Sequence, residues 1–278
     1  MSHPDWDQDV FFQYPLSRFS TSAGEIDLPI LYYDCSVVMA LFRVDVDKAA
    51  AVVRDPDLVV VPVVGGQTLV GVAFYEYRHT AIAPYNEVGV AVAVGPRGTS
   101  APRPALWSLL GPLDKNPLGL HIVDLPVTTE AACAAGREAW GYPKFVTPIG
   151  FDLEGKSFRG TVTDPQDRSD LVTLAGRFGL GVPGPLLDLA LYSRLEGQML
   201  RTLVNTRGGA IVSTGGSLRL DVSASSRHPM AERLRAMGLD GAKPVCVSRS
   251  ERLQLRLNAG APVAAPEPAS RAPAMAVR

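Results

Sequence analysis

Cysteine is scarce in this chain of 278 residues, and its three copies, Cys35, Cys133 and Cys246, lie far apart with no C-x-x-C pair. That argues against a disulfide framework and for reduced thiols in a cytoplasmic protein. An excess of one charge is also missing. The net charge is −1, so no basic field recommends a nucleic acid or an anionic membrane as partner. Long apolar runs are absent too: stretches such as Val88 to Val94 have strand length, far short of the ~20 residues of a membrane-spanning helix. The N-terminus, Met1-Ser-His-Pro-Asp-Trp-Asp7, is acidic and polar and lacks the pattern of a signal peptide. His3, His79, His121 and His228 show neither H-x-x-x-H nor H-E-x-x-H spacing, which argues against a metal site. Gly179-Leu-Gly-Val-Pro-Gly184 mimics a dinucleotide loop, but it contains a proline and lacks the strand-turn-helix setting. No cofactor is expected.

What remains is the composition of an ordinary globular protein, 46% hydrophobic and 20% charged, with length enough for a large core. Residues 1–29, with Pro4, Pro15 and Pro29, read as an arm with room for one short strand. Leu31 to Val44 is aliphatic and aromatic and ends in Asp45-Val46-Asp47, where an aspartate can cap a helix over Lys48 to Val53. Val59 to Val64 and Thr68 to His79 are β-like around the turn Gly65-Gly66. Glu87 to Val94 alternates glycine, alanine and valine, as a strand with close neighbours on both faces would. Gly95 to Pro104 reads as a loop. Thr128 or Thr129 can cap a helix with Glu130 in its first turn and Arg137 in its last. Gly141 stands where a C-terminal cap glycine would, and Pro143 keeps the helix from resuming. Short strands follow over Gly150–Leu174, Gly209–Ser223 and Pro244–Leu257, with a helix over His228–Gly238. Residues 259–278 repeat alanine and proline as a disordered tail would. Many strands, few helices and no βαβ alternation predict an antiparallel-rich α+β domain over 30–258.

The densest chemistry lies in Gly-Arg-Glu-Ala-Trp-Gly-Tyr-Pro-Lys-Phe, residues 136 to 145. It sets Lys144 behind a helix stop and a proline, walled by Trp140, Tyr142 and Phe145. In such a pocket an ammonium loses hydration and its charged form is disfavoured. An ordinary lysine titrates near ~10.4; bringing one to ~7 takes about 4 to 5 kcal/mol and leaves half the amines free to attack a carbonyl. The plain reading of the same residue is a solvated surface cation. Arg137 reads equally as a helix-dipole partner, and Trp140 as pocket wall or core.

Gly136-Arg137-Glu138 followed by Tyr142-Pro143-Lys144 resembles the lysine motif of the acetoacetate decarboxylase superfamily, whose lysine forms a Schiff base with a keto acid. Phe74-Tyr75-Glu76 and Tyr85-Asn86-Glu87 resemble its two glutamate-bearing segments. Phe42-Arg43-Val44-Asp45 resembles its strand-to-helix junction, and Met199 to Asn205 with His228 to Val247 its C-terminal half. The resemblance implies a β-rich α+β fold around a mostly antiparallel closed sheet cone, and a homo-oligomer. It implies a lyase acting on a small keto acid, foremost a β-keto acid decarboxylase. An aldolase-dehydratase or cyclase using the same enamine is the alternative, and a non-catalytic binder the third. Lys144 takes the place of the Schiff-base lysine, Glu87 that of an acid/base and Glu76 that of an orienting carboxylate, with Arg137 and Trp140 as substrate contacts. Two departures stand out. The family's decarboxylases, the established example of a lysine activated by a neighbouring cation, carry a second lysine where this chain has Phe145. The arginine that would grip a substrate carboxylate aligns with Cys35, with Arg18 and Arg43 the nearest alternatives.

Overall fold

Alternation with a period of two, sustained over long strands, builds this fold. The computed structural model describes residues 6–63, 65–98, 113 and 116–263. A 3-10 turn (Trp6–Gln8) precedes the hairpin of β1 (Ser17–Thr21) and β2 (Gly24–Leu28). The strand β3 (Ile30–Asp45) then runs for 16 residues. Asp45 caps α1 (Val46–Val52), its carboxylate accepting from the Asp47 and Lys48 amides. After β4 (Leu58–Val60) come β5 (Gln67–Thr80), β6 (Tyr85–Pro96) and β7 (Gly119–Val127). The helix α2 (Glu130–Trp140) leads into β8 (Lys144–Val146). Next are β9 (Ile149–Glu154), β10 (Ser157–Thr163), β11 (Asp170–Arg177) and β12 (Gly181–Pro185). The chain continues through β13 (Leu189–Leu195), β14 (Gln198–Arg207), β15 (Gly209–Ser213) and β16 (Arg219–Val222). It ends with α3 (Pro229–Ala236), β17 (Cys246–Leu257) and β18 (Ala261–Pro262).

Seven strands close into a ring in the order β17-β3-β5-β6-β7-β13-β14, and β14 returns to β17 from Val204↔Leu257 to Arg207↔Gln254. Every neighbouring pair is antiparallel except β7 with β13. This is the closed, mostly antiparallel α+β sheet expected. A second antiparallel sheet, β16-β11-β10-β9, packs on the outside of the ring with α3. There Val72, Phe74 and Val90 of the ring meet Phe158, Leu174 and Leu234 in one dry core. The inward positions of the same strands differ in kind. On β5 they read Tyr77, Tyr75, Ala73, Gly71, and on β6 Glu87, Gly89, Ala91, Ala93. Bulk gathers at one end and is withheld along the rest, so the ring is hollow.

Both ends of the chain depart from the sequence reading. The first segment forms two paired strands rather than one, and Arg207 of β14 grips Asp9, Nη1 donating to Oδ1 at 2.7 Å. At the other end, Ala261 and Pro262 pair with Arg201 and Leu200, and the Val263 amide donates to the Met199 carbonyl at 2.9 Å. The ordered chain therefore passes the predicted boundary at 258. The remaining tail, 264–278, and most of the predicted loop after Gly95, from 99 on, lie outside the described residues. The glycine-rich mimic at 179–184 enters β12, antiparallel to β15, a setting unsuited to cradling phosphates. Among the described residues no helix is long and apolar enough to cross a membrane.

Candidate active site

The residues around Lys144 place it. The Thr129 hydroxyl accepts from the Ala132 amide at the start of α2, and the helix ends at Gly141 with φ 69°. A left-handed cap suits glycine, and here a Cβ would also lie 2.0 Å from the Arg194 carbonyl oxygen. Pro143 stops the helix, and β8 turns alongside β7 with Lys144 opposite Leu125. The lysine stem then lies back across α2 at Gly136, where a Cβ would stand 2.3 Å from Lys144 Cε. The two motif glycines thus have separate tasks: Gly141 turns the chain, and Gly136 leaves the groove in which the lysine rests.

Lys144 is 7% exposed, and its Nζ donates to Glu87 Oε2 at 2.6 Å. The nitrogen stands 5.6 Å from the centre of the Tyr85 ring. Glu87, 8% exposed, points inward from β6, and the Tyr77 hydroxyl donates to its other oxygen at 3.3 Å. Beside them the Tyr32 and Tyr85 hydroxyls are 2.9 Å apart. Burial, and after it the Glu87 charge, push the Tyr32, Tyr77 and Tyr85 phenols well above the usual range. They stay protonated and can only orient the carboxylate or a ligand as neutral groups. The sequence reading relied on desolvation alone at Lys144. The structure adds a carboxylate in direct contact with the amine. At 2.6 Å the contact is short enough for a proton to pass between the two groups.

The pair stands at the tyrosine end of a cavity of about 210 Å³ along the ring. Its walls are mostly apolar, with Met39 and Leu41 from β3, Leu120 and Ile122 from β7, and Leu191 from β13. Among the described residues the charged groups lining it are Lys144, Glu87 and the exposed Asp188.

The structure brings Lys144 and Glu87 together and leaves the other candidates apart from them. Glu76 sits between Tyr75 and Tyr77 and so faces the opposite side of β5, where it pairs with Arg78 at 2.7 Å. Arg137 lies on the exposed face of α2 and does not line the cavity. Trp140 is fully buried one layer behind the wall, stacked on Tyr142 with ring centres 5.9 Å apart, its Nε1 donating to the Asn258 carbonyl. Phe145 turns away against His228, with ring centres 4.7 Å apart. Of the three rings expected around Lys144, Tyr142 alone lines the cavity. Cys35 is fully buried opposite Tyr77, its thiol pushed up by burial. Arg18 is bound to Glu25 at 2.8 Å on the outside, and Arg43 is exposed, so neither replaces the missing arginine. Sequence reasoning passed over Tyr32, Tyr75, Tyr77 and Tyr85. The spacings Tyr75-x-Tyr77 and Tyr85-x-Glu87 carried the signal, since positions two apart on a strand share a face.

A family model described as acetoacetate decarboxylase (ADC) matches residues 14–216. Among solved structures, an acetoacetate decarboxylase from Legionella pneumophila subsp. pneumophila str. Philadelphia 1 is 19% identical, with 91% of this chain and 94% of that one covered and a TM-score of 0.60. The enduracididine biosynthesis enzyme MppR, complexed with the condensation product of pyruvate and imidazole 4-carboxaldehyde, is 13% identical over 84% of this chain and 88% of its own, with a TM-score of 0.56. An acetoacetate decarboxylase-like enzyme from Sphingomonas wittichii RW1 is 13% identical over 86% and 94%, with a TM-score of 0.58. At these identities the likeness is one of fold. No curated protein matches the chain in sequence.

Proposed function

Because the chain belongs to the acetoacetate decarboxylase family, we propose that Lys144 is the nucleophilic amine of an imine-forming carbon–carbon lyase, with Glu87 moving its protons. The observation that carries this reading is the buried 2.6 Å contact between Nζ and the Glu87 carboxylate, facing an enclosed apolar space. Glu87 takes a proton from the ammonium, and the freed amine adds to the substrate's carbonyl carbon. Glu87 returns that proton to the carbinolamine hydroxyl, which leaves as water and leaves an iminium beside the carboxylate. The cationic nitrogen then accepts the electron pair of a neighbouring bond. In a β-keto acid that is the bond to CO2; in a simple ketone it is a C–H bond whose proton goes to Glu87. Either way an enamine forms, which takes up a proton or adds to an aldehyde before water releases the product.

The sequence reading put decarboxylation of a small keto acid first. One observation favours the addition route instead. Among the described residues no second cation lines the cavity to hold a substrate carboxylate. The condensation product held by the like-folded MppR supports the same direction. The test is borohydride reduction with pyruvate, acetoacetate and simple 2-ketones in turn. Wild type should gain the mass of a reduced adduct with at least one of them, and Lys144→Ala with none. Wild type without an adduct from any would leave a binding protein. Measuring CO2 release against aldehyde consumption then separates the two routes.

A further inference from the structure

The cavity is furnished for a ligand longer and less polar than a small keto acid. Below the tyrosines, the inward row of β6 continues from Glu87 through Gly89 and Ala91 to Ala93, six residues or about 20 Å of strand. Ala73 and Gly71 of β5 run beside it. On the same strands the outward positions are Val72, Val88, Val90 and Val92, each 0% exposed. Small residues are therefore confined to the inner face, where they leave a trough instead of a packed core. Leucines 41, 69 and 120 complete its walls. A carbonyl held at Nζ needs the tyrosine end alone, so the trough has no role for a substrate of three or four carbons. Among the described residues its charges do not favour a carboxylate either. Lys144 is already paired with Glu87, and the charge at the exposed rim, Asp188, is negative. An acid group seated among these leucines and alanines would be desolvated with no counter-ion among the described residues.

We propose that the substrate is an uncharged ketone or aldehyde bearing an apolar tail of several carbons, with its carbonyl carbon at Lys144 Nζ and its tail along Gly89, Ala91 and Ala93. This rests on the imine reading above for the position of the carbonyl. The size agrees: a cavity of about 150 Å³ accepts a benzene ring, so one of about 210 Å³ accepts roughly eight non-hydrogen atoms.

Binding of 2-butanone, 2-hexanone, 2-octanone, pyruvate and acetoacetate is measured by calorimetry alongside borohydride labelling. Each added methylene should tighten binding about fourfold, roughly 250-fold over the four methylenes from 2-butanone to 2-octanone. Both keto acids should bind more weakly than 2-octanone. Ala91→Leu, which fills the trough, should lower the ratio of 2-octanone to 2-butanone labelling tenfold or more, the shorter ketone reporting that the variant is folded. In Lys144→Ala the dependence on chain length should persist in calorimetry while labelling disappears. That separates the two ideas: failure of wild type to label sinks the imine, whereas the chain-length trend still decides the tail. Affinity indifferent to chain length, tighter binding of either keto acid, or an unchanged ratio in Ala91→Leu would overturn the proposal.

Discussion

A lysine and a glutamate, each almost wholly removed from water, hold one another at 2.6 Å, and both energetics and chemistry follow from that contact. Removing one member strands the other. Lys144→Met should cost about 3–5 kcal/mol of stability, while Lys144→Met combined with Glu87→Leu should recover most of that loss in denaturant titration, because an apolar pair needs no counter-charge. A double variant no more stable than the single would show that the two charges do not interact. Glu87→Gln should reduce turnover about 10²- to 10⁴-fold, the usual range for a lost acid/base. Gly136→Ala makes a sharper test. The new methyl meets the flexible stem of Lys144 rather than backbone, so the fold should survive and the amine should move. Turnover should fall about 100-fold, as for a displacement of ~1 Å, and the melting temperature should fall as well, because the displaced ammonium loosens its buried contact with Glu87. The sequence disclosed Lys144 and Glu87 through the motif and its upstream segment. It misplaced Glu76 because adjacency in a motif does not say which face of a strand a residue takes.

At the level of elements, local chemistry was legible and long-range pairing was not. The Asp45, Thr129 and Gly141 caps act within four residues of themselves, and each is among the positions the sequence reading offered. By contrast, β12, β13 and β14 have no local signature, since they take their register from β15, β7 and β17 elsewhere in the chain. β6 was read as a strand with close neighbours on both faces. Its valine face does meet the outer sheet, but its glycine and alanine face borders empty space. The helix α3 is fastened from below by Arg233, whose Nε donates to Asp124 Oδ2 at 2.9 Å. Asp124 on β7 is 1% exposed, and burial pushes its carboxyl up against the pull of the guanidinium. Arg233→Ala should therefore destabilise by about 3–5 kcal/mol in urea titration, with turnover per folded molecule unchanged because Arg233 does not line the cavity. A loss below about 1 kcal/mol would mean that α3 is held by its apolar face alone.

Across the whole molecule, carboxylates tie remote segments to the ring. Asp9 is held down to about 2 by Arg207, and Asp34 and Asp55 are held below the usual range by Arg78 and Arg194. Asp164 is held down by the Ser226 hydroxyl. Each folded value lies below the unfolded one, so these groups stabilise the fold above the ordinary carboxylate pKa of ~4. That contribution is lost as pH falls through their folded values. The melting temperature should begin to fall below about pH 6.5, where His121 and His228, held low by burial, are protonated more readily in the unfolded chain, and should drop further from about pH 4 downward; a melting temperature that rises on acidification would reverse the sign. The closed ring that these contacts girdle keeps the Lys144 amine largely out of water. Carbonyl-oxygen exchange tests that amine most directly, because making an imine expels the ketone oxygen as water and hydrolysis returns one from solvent. In 18O-labelled water, wild type should exchange the oxygen of 2-butanone or 2-octanone well above the buffer rate, and Lys144→Ala should fall back to it. Equal exchange by the two proteins, or none by wild type, would contradict an imine at Lys144.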